Sequence, residues 1–423
     1  MFEKFEYAEP CPSIKHFFPD EWSFADEICY KHHNYMQDSE ITPIMCTTKN
    51  MESTPGFPKF LFFQSEQEYV EKCGAQEYIK IWNLDQFESR PLWWCFLKQE
   101  TLKKKKVEDN DIRMILCTDP VFTRIGAAFE QDQNERMKSL TETHYAQVGW
   151  TPFFGGLHKR LKRLEKVGSQ YVEMDWTRFD GTIPEEVFMH IKNMRYHFLA
   201  DDYKSDRIRD LHDWYCYNLV HKLILLPTGE VTEVHKGNPS GQYSTTTDNN
   251  MVNVFLTAFE IAYLYKKQFG CVPDVDWWRE NIDMLCYGDD RLLRIPAALH
   301  YDPLVVSDMY KRIFGMWVKI ENVRVQDKID GLSFCGFTIH CDLEYYGVPN
   351  TDKILSSLGD PVRRLPDVTS LWGKLVSLRL LCEKADDDVK HYLDKQIFRV
   401  ADYCSAAGIE IPSLPANFFE LLW

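Results

Sequence analysis

The chain has 423 residues, 44% hydrophobic and 27% charged, which is the balance of a large, soluble, well-packed protein. No apolar run approaches the ~20 residues of a membrane-spanning helix, and the acidic N-terminal sequence MFEKFEYAEP is unlike a secretory signal, so we expect neither a membrane span nor secretion. The net charge of −15 argues against a basic surface over the whole protein, but not against a basic channel inside it.

Positive charge concentrates in two segments. The first contains Lys98, Lys103, Lys104, Lys105 and Lys106, and the second contains Lys159, Arg160, Lys162, Arg163 and Lys166. Basic segments of this kind bind nucleic-acid phosphates in some proteins and are solvated loops in most others. The charge pattern alone leaves both interpretations open.

Short strand-like runs alternate with longer helical ones, which predicts an α+β protein. Residues 171–175 are typical of a short strand that ends in a carboxylate, and Pro184 then opens a helix. A Gly/Pro/Ser loop from residue 237 leads into a long helix, and residues 282–293 are two apolar runs broken by Gly-Asp-Asp, the pattern of a hairpin. After residue 345 the pattern is mainly helical. The 13 cysteines include no C-x2-C pair, which predicts reduced thiols and no zinc site.

Three aspartates, Asp175, Asp289 and Asp290, end or join these predicted strands. Nucleotidyl transfer uses two divalent cations about 4 Å apart that are held by carboxylates. Magnesium prefers such oxygen ligands and keeps waters and substrate phosphates in its shell. A Gly-Asp-Asp sequence by itself is usually only a turn, so the surrounding motifs decide its meaning.

The segments DWTRFDGTIP, GNPSGQYSTTTDNN and YGDD follow one another in this order. Together they resemble motifs A, B and C of the RNA-dependent RNA polymerases of positive-strand RNA viruses in the picornavirus-like supergroup, and they are most similar to the astrovirus enzymes. The resemblance implies a right-hand polymerase whose palm is an antiparallel sheet with helices on one face. It implies fingers at 1–170, palm at 171–199, a return to the fingers at 200–236, palm at 237–345 and thumb at 346–423.

Further segments extend the resemblance from about residue 50 to about residue 340. STPGFP at 53–58 resembles the template-contacting motif G, KQETLKKKKVEDNDIR at 98–113 resembles motif F, and FCGF at 334–337 resembles the primer-gripping motif E. The resemblance assigns RNA contacts to Ser53, Thr54, Pro55, Gly56, Lys103, Lys104, Lys105, Gly241, Cys335 and Gly336. It assigns the nucleotide's phosphates to Lys98, Lys106 and Arg113. Leu102 stands where related enzymes often carry a basic residue, which leaves that role to Lys103 or Lys104.

The resemblance assigns the metal site to Asp175, Trp176, Asp289 and Asp290, with two Mg²⁺ ions that Mn²⁺ can replace. Telling RNA from DNA requires hydrogen bonds to the 2′-hydroxyl. The polar residues that match this task are Asp180, Ser240, Thr245 and Asn249. Motif D supplies a lysine as general acid, and we select Lys328 from its Asp-Lys context, although Lys319 and Arg324 are nearer by spacing.

The expected partners are an RNA template and primer strand, ribonucleoside triphosphates, and other viral replication proteins. A thumb of under 80 residues leaves little material for a priming loop and favours primed initiation, and the resemblance implies a protein primer. The expected location is the host cytoplasm, in replication complexes that partners attach to membranes.

Two other classes of protein remain open on the sequence. A reverse transcriptase also has paired aspartates on a hairpin, but it excludes the 2′-hydroxyl with an aromatic gate, whereas this chain offers the polar set named above. A polymerase-like RNA-binding protein without activity is the other class, and the presence of all three aspartates argues against it.

Overall fold

A computed structural model describes residues 8–84, 89–359 and 364–423; residues 1–7 of the acidic N-terminal sequence lie outside it. The helices are α1 Ile14–Phe17, α2 Pro19–His32, α3 Glu66–Cys73, α4 Gln76–Trp82, α5 Lys104–Glu108, α6 Pro120–Ser139, α7 Gly156–Leu164, α8 Phe179–Thr182, α9 Glu185–His197, α10 Asp206–Val220, α11 Thr245–Phe269, α12 Val275–Asn281, α13 Pro303–Met309, α14 Thr351–Gly359, α15 Val368–Leu381, α16 Asp387–Ala406 and α17 Phe418–Leu422. The strands are β1 Leu92–Leu97, β2 Met114–Cys117, β3 Ser169–Met174, β4 Trp176–Thr177, β5 Lys222–Leu225, β6 Val231–Val234, β7 Asp283–Tyr287, β8 Asp290–Pro296, β9 Trp317–Val318, β10 Arg324–Gln326, β11 Ser333–Phe334, β12 Phe337–Cys341 and β13 Tyr345–Pro349. Helices and mainly antiparallel sheets together confirm the predicted α+β class.

The central sheet has the strand order β10-β3-β8-β7 and is antiparallel throughout. Successive residues of β8 pack into different cores, because Leu293 lies in the largest core whereas Leu292 packs with Leu161 of α7. Strands covered on both faces are expected to be apolar without alternation. This double burial explains the two continuous apolar runs on either side of Gly-Asp-Asp.

Helix α11 is buried at every position from Thr247 to Ala262. It packs against α2 and α9 and against strand β7 of the central sheet. A helix that is enclosed on all sides needs few charged residues, which is why its sequence is apolar around most of its circumference. It ends at Gly270, whose φ of 82° is left-handed and favours glycine. The predicted long helix is therefore confirmed.

A second sheet has the strand order β2-β1-β5-β6. Its β1 and β5 are parallel, with Leu92 opposite Leu223, so this sheet joins two segments that are far apart in the chain. A third sheet, β11-β12-β13, is antiparallel and follows the central sheet in sequence.

The C-terminal part is mainly helical, as predicted, but its first residues are not. Tyr345–Pro349 forms β13 and pairs with β12, since aromatic and β-branched residues suit a pleated, half-buried surface. The helices that follow have a small core of their own that includes Leu375 and Leu393. The chain then returns toward α7, where the Phe154 N–H donates to the Leu422 carbonyl at 2.7 Å.

All 13 cysteines are free thiols, as the sequence predicts. Across residues 8–84, 89–359 and 364–423, no helix combines the length and apolar character that a membrane crossing requires.

Candidate active site

The hairpin of β7 and β8 carries two of the three predicted aspartates. Tyr287 pairs with Asp290, so Gly288 and Asp289 form the two-residue turn between the strands. Gly288 has a φ of 65°, the left-handed conformation that such tight turns require and that glycine adopts readily. The turn is supported from α11, because the buried Asn253 donates through Nδ2 to the Gly288 carbonyl at 3.0 Å.

Asp175 follows β3 and lies beside this hairpin. The register of β3 and β8 pairs Met174 with Arg291, so the next residues along the two strands are Asp175 and Asp290. The Asp175 carboxylate accepts hydrogen bonds from Lys319 Nζ at 2.8 Å and from Asn322 Nδ2 at 2.8 Å. Strand pairing therefore brings together carboxylates that are more than a hundred residues apart in the sequence.

Burial and mutual repulsion raise the pKa values of the two hairpin carboxyls. Solvent reaches Asp289, yet removal of water by the surrounding protein, followed by the negative charges of Asp180 and Asp175, raises its pKa to about 6. Burial raises the pKa of Asp290 to about 7, against a hydrogen bond from the Cys335 N–H at 2.7 Å and with a further increase from Asp289. A nearby cation stabilises the ionised form of carboxylates that are crowded in this way.

The donor set suits hard divalent cations, since carboxylate oxygens are the ligands that such ions prefer. A cation among these carboxylates would also relieve the repulsion that raises the pKa values of Asp289 and Asp290. Among the residues described, no three carboxylate, histidine or cysteine side chains already stand together as a metal site. Asp175 is engaged by Lys319 instead. The indole of Trp176 is buried against Tyr310 and has no acceptor atom, so only the carbonyl oxygen of Trp176 can coordinate an ion.

The predicted ribose-selecting pair is in contact. Asn249, on the first turns of α11, donates through Nδ2 to Asp180 Oδ1 at 3.3 Å. The loop before α11 is tied to the same segment, because the Asn238 N–H donates to the Asp180 carbonyl at 2.7 Å. Gly237 lies so close that a Cβ there would be 2.7 Å from that carbonyl oxygen.

The other predicted residues of this loop lie against strand β2. Ser240 Oγ donates to the Met114 carbonyl at 3.1 Å, and a Cβ on Gly241 would be 2.0 Å from the Leu116 carbonyl oxygen. Thr245 Oγ1 donates within the loop, to the Pro239 carbonyl at 2.9 Å. Ser240 and Thr245 thus shape the loop in this structure.

Arg113 and Lys98 adjoin the strands of the second sheet, and the Lys98 N–H donates to the Arg113 carbonyl at 2.8 Å. Arg113 Nε donates to Glu100 Oε1 at 2.6 Å and its Nη2 donates to the other oxygen, which is the main reason that the pKa of Arg113 is raised. The charges of Asp289 and Asp180 contribute to the same increase. Lys98 Nζ lies 3.9 Å from the Glu100 carboxylate.

The first basic segment is exposed and partly helical. Lys103 precedes α5, whose first residues are Lys104, Lys105 and Lys106. The ion pairs formed here, Lys104 with Glu108 at 3.6 Å and Lys106 with Asp111 at 3.5 Å, are at the surface. Part of the run is thus a short, exposed helix rather than a loop, and its role in RNA binding stays a prediction.

The second basic segment does not form a continuous positive surface. Arg160 is buried and donates to Gln147 Oε1 at 2.5 Å, and Arg163 pairs with Asp283 at 3.2 Å. Arg163 thus links α7 to the start of β7, and Arg160 links α7 to the segment that precedes α7 in the chain. Of the basic residues of this segment, the three lysines are exposed and the two arginines are not.

The residues assigned to template and primer contact by motifs G and E lie outside helices and strands. Ser53 lies in a bend that leads into Thr54, Pro55 and Gly56, and Gly56 has a φ of 68° and approaches the Thr118 carbonyl. Cys335 and Gly336 form the turn of the β11–β12 hairpin, with φ values of 50° and 80°. The Cys335 N–H hydrogen bond to Asp290 connects this second turn directly to the aspartates.

Lys328 does not lie with the aspartates. Strand β10 is antiparallel to β3, with Arg324 opposite Glu173, so the chain moves away from Asp175 as it approaches Lys328. Lys328 is exposed and lines a surface depression with Glu165 and Tyr345. Lys319, which the sequence spacing had kept as an alternative, is the lysine that contacts Asp175.

A buried network beneath the hairpin was missed by the sequence argument. Arg291, the residue after Asp290, forms a fully buried ion pair with Glu260 of α11 at 2.8 Å. Glu260 also accepts hydrogen bonds from Tyr301 and Tyr310, both at 2.6 Å. The one available signal was the pair of opposite charges within otherwise apolar runs.

Comparison with known proteins gives a consistent result. The family model for viral RNA-dependent RNA polymerase matches residues 14–397. Over its whole length the chain is 55% identical to the non-structural polyprotein 1AB of Turkey astrovirus 2 and 53% identical to that of Turkey astrovirus 1, covering 26% of each polyprotein. It is 43% identical to the same polyprotein of Human astrovirus-1 over 99% of the chain and 28% of the polyprotein. Neither the reverse transcriptase nor the inactive RNA-binding protein is favoured by these matches, and the chain belongs to the viral RNA-dependent RNA polymerase family.

Proposed function

We propose that this chain adds ribonucleoside 5′-triphosphates to an RNA 3′-hydroxyl under the direction of an RNA template, with two divalent cations, in replication and transcription of a viral RNA genome. The observation that carries the proposal is the convergence of Asp175 with Asp289 and Asp290 through the pairing of β3 and β8. The raised pKa values of Asp289 and Asp290 support a site whose ionised carboxylates are stabilised by bound cations.

The residues around the aspartates are proposed to bind the triphosphate and to orient the ribose. When bound, the two cations supply activation of the 3′-hydroxyl and neutralisation of the leaving pyrophosphate. Arg113 offers the triphosphate a planar fork, which Glu100 occupies in this structure, and Lys98 adds a point charge. Asp180 and Asn249 orient the ribose through its 2′-hydroxyl. Mg²⁺ is the proposed ion, with Mn²⁺ as its substitute.

For the general acid of motif D, we now propose Lys319 rather than Lys328. A proton donor must come within hydrogen-bond reach of the group it protonates. Lys319 Nζ is 2.8 Å from Asp175, so it is already at the site, whereas Lys328 is on another part of the surface.

The division into fingers, palm and thumb is part of the same proposal. Support for fingers at 1–170 with a return at 200–236 comes from β1 and β5, which pair although one belongs to each segment. Support for a palm at 171–199 and 237–345 comes from the central sheet, because β7, β8 and β10 lie within these ranges and β3 begins only two residues before them, at Ser169. Residues 346–423 are proposed as the thumb, because helices α15 and α16 within this range contribute Leu375 and Leu393 to a separate small core.

Partners and location extend the proposal beyond this chain. We propose an RNA template and primer strand as substrates and other viral proteins, including a protein primer, as partners. Support for these partners comes from the similarity to polyproteins of which this chain covers about a quarter. Attachment to host membranes in the cytoplasm would then depend on partner proteins.

Primer extension tests the proposed activity. The purified chain is given a homopolymeric RNA template with a short complementary primer, either Mg²⁺ or Mn²⁺, and matched ribo- and deoxyribonucleotides. We expect template-dependent extension that strongly prefers the ribonucleotide. No product with either metal would contradict the activity, and equal use of both sugars would contradict the ribose assignment.

A further inference from the structure

Amide side chains in the loop before α11 form a chain of hydrogen bonds that ends at the ribose-selecting pair. The Ser244 N–H donates to Gln242 Oε1 at 2.8 Å, and Gln242 Nε2 donates to Asn238 Oδ1 at 3.0 Å. Asn238 Nδ2 donates to Asn249 Oδ1 at 2.9 Å, and Asn249 Nδ2 donates to Asp180. We call Gln242, Asn238 and Asn249 the amide relay.

The direction of the amide relay is fixed by groups that cannot exchange roles. A backbone N–H can only donate, so the Gln242 atom that receives it must be the oxygen, and the Gln242 nitrogen must face Asn238. Asn238 Nδ2 also donates to the Thr245 carbonyl at 3.1 Å, and a carbonyl can only accept. Asn249 must therefore accept from Asn238 and turn its own nitrogen away from the relay.

The amide relay is also enclosed and anchored. Gln242 Nε2 donates to Asp248 at 2.7 Å, and Asp248 is fully buried between Lys192 at 2.5 Å and Arg195 at 2.8 Å. Asn238 is only 1% exposed, so an unpaired amide there would have no water to replace its lost partner. The hydrogen bonds of the relay are therefore formed within the protein itself, without a nucleotide.

We propose that Asn238 is a positioning residue for ribose selection. By accepting from Gln242 and donating to Asn249, it holds the Asn249 amide with Nδ2 toward Asp180 before a nucleotide arrives. Functional groups fixed in advance lose little on binding, whereas a freely rotating amide presents its oxygen as often as its nitrogen. This inference rests on the proposed function and adds a residue that supports selection through Asn249.

The test measures the ratio of kcat/KM for a ribonucleotide over its deoxy analogue. Asn238→Ala is expected to lower the ratio roughly three- to tenfold, mainly through a higher KM for the ribonucleotide. The matched control is Asn250→Ala, because Asn250 is as buried as Asn238 and follows Asn249 on α11, but it donates to the Thr246 carbonyl at 2.8 Å. The control should leave the ratio unchanged even where it lowers the melting temperature.

A second variant covers the case in which Asn238→Ala does not fold. Asn238→Asp keeps the size of the side chain and its acceptor but removes the N–H donor, so the Asn249 amide should reverse and the ratio should fall. A folded Asn238→Asp protein with a wild-type ratio would overturn the proposal.

A double-mutant cycle separates positioning from general support of the fold. In an Asn249→Ala background, Asn238→Ala should not change the ratio further, because no amide remains to be oriented. Additive losses would overturn the positioning role. If Asn249→Ala lowers the ratio and Asn238→Ala does not, the amide relay is refuted while the proposed function stands. If wild-type protein makes no RNA, it is the proposed function that fails.

Discussion

The Gly-Asp-Asp turn and the basic segment at 98–113, which are proposed to serve one active site, are held in different ways. Beneath the turn, Arg291 and Glu260 form an ion pair with both side chains at 0% exposure. In the basic segment, Lys104 and Glu108 pair with side chains 88% and 60% exposed. Breaking a buried pair is costly, whereas an exposed pair contributes ~0 to 1 kcal/mol.

This difference matches what each region is proposed to bind. Metal ligands must stand in one geometry, so the fold fixes the turn from α11 through Asn253 and from the β11–β12 turn through Cys335. Phosphates along an RNA strand need only positive charge nearby, because much of their binding comes from counterion release. Exposed lysines on a short helix are sufficient for that task.

The largest expected effect tests the metal side of the comparison. Asp289→Ala should lower primer extension by about 10³-fold or more, because it removes a ligand from a site that provides several kcal/mol of transition-state stabilisation. RNA binding, measured by a gel-shift assay in the same buffer, should be nearly unchanged. Extension at the wild-type rate would show that the active site has been assigned to the wrong residues.

The buried pair under the turn should matter for stability far more than a surface pair. Glu260→Gln leaves the Arg291 charge uncompensated in the core and should lower the free energy of unfolding by ~3 to 5 kcal/mol. Urea unfolding followed by circular dichroism measures the loss. The control is Asp308→Asn, which breaks the exposed pair with Arg312 at 2.6 Å and should cost ~1 kcal/mol or less. Similar losses in the two variants would remove the distinction.

The elements that carry the site could be predicted from local sequence. The β7–β8 hairpin and α11 have largely apolar sequences, because each is buried on more than one side, whereas β3 is predicted from a shorter run that ends in a carboxylate. The mainly helical character after residue 345 was predicted, but β13 was not, since it is short and has no apolar alternation to distinguish it from a loop.

Side-chain roles were harder to predict because they depend on register. The direction of β10 relative to β3 separates Lys328 from Asp175, and no local pattern reports that direction. Arg160 and Arg163 look like part of a basic surface in the sequence, but they are used to fasten α7. The orientation of Asn238 is set by the backbone N–H of Ser244, which sequence cannot show.

The choice between two lysines tests whether proximity to the turn predicts function. Lys319→Ala should lower kcat about 10²-fold, the usual contribution of a positioned proton donor. Lys328→Ala should change kcat less than about twofold, because Lys328 is a surface residue away from the site. Single-turnover extension by both variants makes the measurement. A loss confined to Lys328→Ala would return motif D to the position first selected.

The raised pKa values of Asp289 and Asp290, about 6 and about 7, predict how metal binding depends on pH. Protons compete with cations for these carboxylates below their pKa values, so affinity for Mg²⁺ should increase as pH rises and level off above about pH 8. The half-saturating Mg²⁺ concentration should fall about tenfold between about pH 6 and pH 8. Titration calorimetry at several pH values measures it. A pH-independent affinity would contradict the crowding that raises both pKa values.

The smallest effect tests the other side of the comparison, the exposed lysines. Changing Lys103, Lys104, Lys105 and Lys106 together to Ala should weaken RNA binding and reduce its salt dependence, by roughly 0.7 in slope for each lost contact with single-stranded RNA. Alanine favours helices, so α5 should persist and the loss can be assigned to charge.

A second variant changes Lys159, Lys162 and Lys166 of the other basic segment to Ala, which removes exposed lysines at a different place. If binding responds to net charge alone, the salt slope should fall in both variants. If α5 lies along the path of the RNA, only the first variant should change the slope, while primer extension at saturating RNA stays within severalfold of wild type because the metal ligands are intact. An unchanged slope in the first variant would return the lysine run to a solvated surface element.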